Sequence, residues 1–293
     1  MRLRLRQRTL ELHAGRPLLM GIVNAAPDSF SDPGERSSEA LVAQGLVLLE
    51  EGAALIDVGG ESGRTDSRAI PVEEEIARIV PVVERLASAG VTVSVDTWRA
   101  PVARAALDAG AAMVNDVSAL SDPAIADACA ETGAGLVITH TRAEPKRKAF
   151  PHYEDVVEDV AGLWRERAAE ARRRGVGDEQ LVLDPGIDLA KTPSESLELI
   201  RRLPDLARSE RPLLLAVSRK DFLGALTGRS PAGRDAGTLA ALEACVRGGA
   251  AIVRLHDVAA ARDYLRVREA LVRPDAPAGD LRLDEALRRE PAA

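Results

Sequence analysis

The chain is predicted to be of the α/β class, a (β/α)8 TIM barrel with a short N-terminal strand or hairpin as cover. Two observations carry this. Eight short apolar runs recur, each followed by a segment with helical spacing, the alternation that builds a parallel sheet. Each run also ends at polar residues, as barrel strands do at the face that carries active sites. Eight units in roughly 255 residues fit a closed barrel. A doubly wound open sheet is the runner-up. No G-x-G-x-x-G follows the first run, which weakens a nucleotide-binding reading. The expected organisation is a barrel over 17–272, cover strands over 1–16 and a tail over 273–293.

Taken in order, residues 2–12 alternate Arg and Leu and then read T-L-E-L, the period of a strand with one wet face. Leu18–Val23 is uncharged and suits a strand buried on both faces; it ends at Asn24. Pro27, Asp28-Ser29 and the turn formers at 31–34 then make a loop carrying one aromatic, Phe30. A helix is predicted from Ser38 to Glu51. The strand Leu55–Val58 follows and breaks at Gly59-Gly60. Pro71 opens a helix whose Val72, Ile76, Ile79, Val83 and Leu86 share one face. Pro81 within it predicts a kink or a late first turn.

The strand Thr92–Val95 ends in Asp96-Thr97 and leads to a helix over Ala100–Ala109. Ala112–Val114 ends in Asn115-Asp116, with a short helix over Pro123–Thr132. Gly135–Ile138 leads to His140, a basic loop 146–148 and a long helix over Tyr153–Arg174. Leu181–Leu183 ends in Asp184-Pro185-Gly186, and a helix runs from Pro193 to Leu206. Leu213–Val217 ends in Ser218-Arg219-Lys220, before a helix over Thr238–Val246. Ile252-Val253 leads to Arg254-Leu255-His256-Asp257, and a last helix runs to Leu271. The tail holds at most one short helix, Asp284–Arg289.

The formal charge is 39 − 46 = −7, which argues against a nucleic-acid or anionic-membrane partner. Any anion must then be held by a local basic site. The two cysteines, Cys129 and Cys245, lack metal-ligand spacing and read as buried thiols. No stretch is apolar for long enough to span a bilayer, and the N-terminus lacks the apolar core of a signal peptide. A soluble cytoplasmic protein is the expectation.

The polar residues at the strand ends divide into two sets. Asp96, Asn115, Asp184 and Lys220 mix acceptors and donors, matching a flat heterocycle with an aminopyrimidinone edge, to which a carboxylate accepts two parallel N–H bonds. Asn24, Arg64, Arg254 and His256 offer donors and one neutral oxygen ligand, an anion site suited to Mg²⁺. Asp96-Thr97 and Ser218 could instead be helix caps, and Asp184-Pro185-Gly186 a plain turn. Lys220, Arg254 and His256 are poor caps, which favours the site.

These residues resemble the dihydropteroate synthase family. N-x-x-P-D-S-F-S-D (24–32), D-V-G-G-E-S (57–62), S-V-D-T (94–97), N-D-V (115–117), D-P-G-I (184–187), S-R-K-D-F-L-G (218–224) and R-L-H-D-V (254–258) stand in its order and spacing. The resemblance implies condensation of 6-hydroxymethyl-7,8-dihydropterin diphosphate with p-aminobenzoate, releasing pyrophosphate through a pterin methylene cation. It implies that Asp96, Asn115, Asp184 and Lys220 bind the pterin, that Asn24 ligates Mg²⁺, and that Arg64, Arg254 and His256 hold the diphosphate. Ser218 and Phe30 would help form the p-aminobenzoate site, and the assembly would be a homodimer. The rival readings are a pterin-binding paralogue without synthase activity and a methyltetrahydrofolate:corrinoid methyltransferase, which has no use for a pyrophosphate site.

The departures from the family pattern cluster. S-T-R-P-G is here Ser62-Gly63-Arg64-Thr65-Asp66, and G-F-G-K-T-x-x-H-N is Asp188-Leu189-Ala190-Lys191-Thr192-Pro193-Ser194-Glu195-Ser196. The altered pocket is that of the second substrate, at Gly63, Thr65 and Leu189. Leu189 replaces an aromatic wall, whose ring contact would contribute about 0.5–1.5 kcal/mol beyond burial. Gly63 adds backbone freedom and Thr65 removes a ring that fixes φ. Steady-state kinetics should therefore show a raised KM for p-aminobenzoate and weak inhibition by sulfonamides, which compete for that subsite in the family. Gly63→Thr with Thr65→Pro should recover part of both. Constants matching those of a synthase with the full family motifs would refute the loosened pocket.

Overall fold

The computed structural model describes residues 1–13, 15–26, 37–61, 69–272, 281–284 and 288. Its strands are β1 (Arg2–Leu5), β2 (Arg8–Glu11), β3 (Leu18–Asn24), β4 (Leu55–Gly59), β5 (Val93–Asp96), β6 (Met113–Asp116), β7 (Gly135–Thr139), β8 (Leu181–Asp184), β9 (Leu213–Leu215) and β10 (Ala250–Leu255). Its helices are α1 (Ser38–Glu50), α2 (Val72–Ser88), α3 (Ala100–Asp108), α4 (Ala124–Thr132), α5 (Val156–Arg173), α6 (Pro193–Arg201), α7 (Leu203–Leu206), α8 (Asp221–Thr227), α9 (Asp235–Arg247) and α10 (Val258–Val272). The eight strands from β3 to β10 close into a parallel barrel in sequence order, with β10 pairing β3. The open doubly wound sheet is thereby excluded.

The barrel strands carry apolar residues on both faces because both are covered. Outward residues such as Ile56, Val58, Val93, Val95 and Val114 pack on the helices. Inward residues Met20, Leu55, Met113, Val137, Val182, Leu214 and Ile252 form one layer at the N-terminal end. β1 and β2 pair antiparallel, and the alternation in R-L-R-L buries Leu3 and Leu5 beneath that layer while the arginines stay exposed. Arg6 fastens this plug: its N–H donates to the Gly133 carbonyl at 2.7 Å, and Nη1 donates to the Leu107 carbonyl at 2.8 Å. A Cβ at Gly135 would overlap Leu5, so the first residue of β7 must be glycine for the plug to seat.

Several boundaries differ from expectation for physical reasons. α2 runs unbroken through Pro81 from Val72, so the late-first-turn reading fails. α5 starts at Val156 because Asp155 accepts from the Val157 and Glu158 amides; Tyr153 lies outside it and donates to the Ala190 carbonyl at 3.0 Å. The predicted helix 193–206 breaks at Arg202 into α6 and α7. α8 is absent from the sequence reading: it has seven residues, and only Phe222 and Leu223 are buried. Cys129 and Cys245 are buried thiols, as expected. The proposed tail helix 284–289 lies mostly outside the described residues. Among the described residues no helix is long and apolar enough to cross a membrane.

Leu5→Ala would leave a void between the plug and the inner layer, and Leu5 is fully buried. Urea unfolding should show a loss of about 2–5 kcal/mol. A loss below about 1 kcal/mol, the range of surface substitutions, would mean the hairpin does not seal the barrel.

Candidate active site

Parallel closure gathers the C-terminal ends of all eight strands at one mouth. There the inward face changes chemistry. Two residues beyond Leu55, Met113, Val182 and Ile252, the same face carries Asp57, Asn115, Asp184 and Arg254. The period of two keeps these side chains inside the barrel, so on these four strands apolar floor gives way to polar mouth within one step.

Arg254 is the centre of this layer. Its Nε donates to Asp57 Oδ2 at 2.6 Å and its Nη2 donates to Asp96 Oδ2 at 2.9 Å. Asn115 Nδ2 also donates to Asp57 Oδ2, at 3.1 Å. Asp57 is fully buried, and its Oδ1 and the Asn115 Oδ1 are buried acceptors with no hydrogen-bond partner among the described residues. Burial opposes the charge on Arg254, but Asp57 and Asp96 outweigh it and hold the guanidinium above its ordinary range. Burial pushes Asp96 above the usual carboxylate range, with Arg254 opposing and Asp57 and Glu75 adding to the push.

Asp184 ends β8 and is buried; burial pushes it up to about 6, against the Gly186 amide that donates to its Oδ1 at 2.7 Å. Gly186 has a φ of +68°, and a Cβ there would overlap the His140 carbonyl oxygen, so only glycine permits this turn. Below it Lys191 is buried, its three ammonium donors spent on the carbonyls of His140 (3.2 Å), Gly186 (3.0 Å) and Leu189 (2.9 Å). This lysine is a loop anchor. His140 donates through Nε2–H to Asp159 Oδ1, 2.7 Å away, and is held by burial at about 3, hence neutral.

Ser218 and His256 form a pair. The Ser218 hydroxyl lies 2.9 Å from His256 Nδ1 and accepts from the His256 amide at 3.2 Å. Burial, then Arg254, lowers His256 to about 3, so it is neutral. With the hydroxyl proton on Nδ1, the ring is left with Nε2–H as a donor. Ser218 is thus no helix cap; Lys220 takes that position for α8, without a side-chain cap bond. Asp96 is no cap either. Thr97 instead donates to Glu75 Oε1 at 2.9 Å, beside the buried Arg99–Glu75 and Arg99–Glu61 ion pairs that hold Glu61 just beyond β4. At the top of β4, a Cβ on Gly59 would sit 3.8 Å from Asn24 Oδ1 and 3.9 Å from Asp96 Oδ2, so these two oxygens face one another across it.

The structure therefore brings together Asn24, Asp96, Asn115, Asp184, Ser218, Lys220, Arg254 and His256. Lys220 is half-buried at the rim, and its charge acts on both Asp96 and Asp184. Leu189 is half-buried on the β8–α6 loop. Phe30, Gly63 and Arg64 lie outside the described residues. The two sets that the sequence separates are joined, since Arg254 of the anion set binds Asp96 of the heterocycle set. Asp57 is one of the strand-end polar residues in the sequence, but the sequence reading places it in neither set. Its signal is a charge inside the apolar strand L-I-D-V, which cannot be buried without a partner.

Residues 20–256 match the family described as pterin binding enzyme. The dihydropteroate synthase of Neisseria meningitidis serogroup C is 41% identical over 268 residues, covering 89% of this chain and 95% of that protein. The chain belongs to the dihydropteroate synthase family. Among solved structures, the Xanthomonas albilineans dihydropteroate synthase with 4-aminobenzoic acid is 43% identical with a TM-score of 0.85, covering 92% of this chain and 98% of that one. The same enzyme in complex with 7,8-dihydropteroate is 42% identical with a TM-score of 0.81, over the same shares of the two chains.

For this family member, removing one partner of the Arg254 cluster leaves a buried charge uncompensated. Asp57→Ala should cost about 3–5 kcal/mol in urea unfolding. The exposed Glu131→Ala, whose pair with Arg104 is at the surface, should cost about 1 kcal/mol or less. Equal losses would remove the cluster from the account of stability.

Proposed function

We propose that the barrel mouth condenses 6-hydroxymethyl-7,8-dihydropterin diphosphate with p-aminobenzoate, giving 7,8-dihydropteroate and pyrophosphate. The chain is a transferase of the dihydropteroate synthase type. The observation that carries the reading is the set of buried acceptors, Asn115 Oδ1 and the Asp184 carboxylate, lying under a rim of cations. Asn115 Oδ1 has no hydrogen-bond partner among the described residues, a cost that a pterin's N–H donors remove, whereas Asp184 Oδ1 already accepts from the Gly186 amide. Asp96 and Lys220 complete the edge of that site.

The departing group is an anion, and it needs hydrogen-bond donors. Arg254, the Nε2–H of neutral His256 and Arg64 are assigned to the diphosphate. The C–O bond breaks with its electron pair on pyrophosphate, and preorganised donors stabilise that charge as it grows. The C–N bond then forms from the lone pair of the aryl amine, which loses a proton; the amine is neutral and already nucleophilic, so no side-chain base is required. Asn24 offers one neutral oxygen, which fits Mg²⁺, a cation that keeps several waters and takes further oxygens from substrate phosphates. Bound there, Mg²⁺ would neutralise charge on the leaving pyrophosphate. We propose a homodimer as its assembly.

The test joins turnover to pterin binding. Purified chain with both substrates and Mg²⁺ should form dihydropteroate, and EDTA should stop it. Asp184→Ala should weaken pterin binding in calorimetry by about tenfold or more. To accept N–H bonds Asp184 must be ionised, so affinity for an uncharged pterin should fall as pH drops through about 6. That dependence should vanish in Asp184→Asn. Stability runs the other way: with a raised folded pKa, Asp184's contribution is fully present below the ordinary aspartate range and is lost as pH rises through about 6. Pterin affinity indifferent to Asp184→Ala would place the pterin elsewhere.

A further inference from the structure

We propose that Asp188 is a positioning residue that straps the loop carrying Leu189 to the segment carrying Lys220. The assignment of Leu189 and Lys220 to the two substrates rests on the synthase reading; the strap itself rests on geometry. Asp188 has a φ of +64° and Ala190 a φ of +53°, the left-handed region that favours glycine. The family pattern places glycine at both. A chain that puts side chains there takes on backbone strain, and the Asp188 side chain returns bonds that offset it.

The Asp188 amide and both of its carboxylate oxygens are engaged. Its N–H donates to Ser196 Oγ at 3.1 Å, and the Ser196 hydroxyl donates to Oδ1 at 3.0 Å. Its Oδ2 accepts from the Asp221 amide and, at 3.4 Å, from the Phe222 amide. These are the first two amides of α8, whose own N-cap residue, Lys220, supplies no side-chain acceptor. Asp188 therefore caps α8 from 33 residues away. Ser196 stands where the family pattern has Asn, so two departures are the two ends of one hydrogen-bonded pair.

The loop is held on its other sides by Lys191 Nζ at the Leu189 carbonyl and by Tyr153 at the Ala190 carbonyl. The α8 side is held by Arg219 on Asp235 and by Arg234 Nη1 at the Lys220 carbonyl, 3.1 Å. Asp188 is the bond between these two anchored bodies. It opposes the loosening expected from the missing aromatic at Leu189.

The test compares wild type with Asp188→Gly, which relieves the strain but removes the strap. Asp188→Asn keeps an acceptor for α8 and a partner for Ser196, so it serves as the conservative rescue. Hydrogen exchange at the Asp221 and Phe222 amides should quicken about fivefold in Asp188→Gly, the scale of a lost cap, with β9 unchanged. KM for p-aminobenzoate should rise severalfold, and Asp188→Asn should restore most of both. Unchanged exchange overturns the strap. Faster exchange with an unmoved KM overturns its positioning role. If wild type has no turnover, the synthase reading fails on its own, and the exchange comparison still decides the strap.

Discussion

The guanidinium of Arg254, held between Asp57 and Asp96, is the constraint on which the mouth depends. A cation inside a barrel is tolerable only where carboxylates meet it, and here they come from strands 197 and 158 positions away in sequence. In the barrel order β10 is followed by β3, β4 and β5, so the contacts reach across the interior from one strand to the second and third beyond it. They require closure, and they require β4, β5 and β10 to be in register with their inward positions at one height. The apolar layer below sets that height. Leu3 and Leu5 close the floor from beneath, and Asp57 and Arg254 follow Leu55 and Ile252 by one inward step.

The same cluster sets the electrostatics of the reaction. The chain is acidic overall, yet its mouth holds the cations Arg254 and Lys220. Asp57 and Asp96 keep Arg254 charged and oriented, which is preorganisation for a leaving group that gains charge. His256 contributes differently. It is kept neutral by burial beside Arg254, and Ser218 directs its tautomer, so it offers a hydrogen bond without adding a third cation next to Lys220.

Much of this was legible in the sequence because it is local. Short apolar runs and period-3.6 patterns placed the eight strands and most helices, and strand-terminal polar residues marked the mouth. What stayed hidden was relational. Asp57 reads as a strand interruption until Arg254 is seen opposite. Asp188 reads as a departure from a glycine pattern until α8 is known to begin beside it. Lys191 is only a letter of a motif in the sequence, yet its three donors are consumed by backbone carbonyls beneath the loop. The break at Arg202 and the short α8 carry too few apolar positions for periodicity to register. Each of these depends on partners that the chain's order does not bring together.

The contrast between floor and rim explains where the chain could depart from its family's pattern. In the floor, Asp57, Asn115, Asp96 and Arg254 share bonds, so changing one leaves another buried and unpaired, and the penalty falls on the whole set. Around the β8–α6 loop the bonds close locally. Thr192 and Glu195 cap α6 reciprocally, and Asp188 and Ser196 satisfy one another before reaching α8. Such pairs can change together without orphaning anything in the floor. The Arg254 cluster is therefore fixed by mutual dependence, while the β8–α6 loop can vary in hydrogen-bonded pairs, and the departures at Asp188 and Ser196 form such a pair.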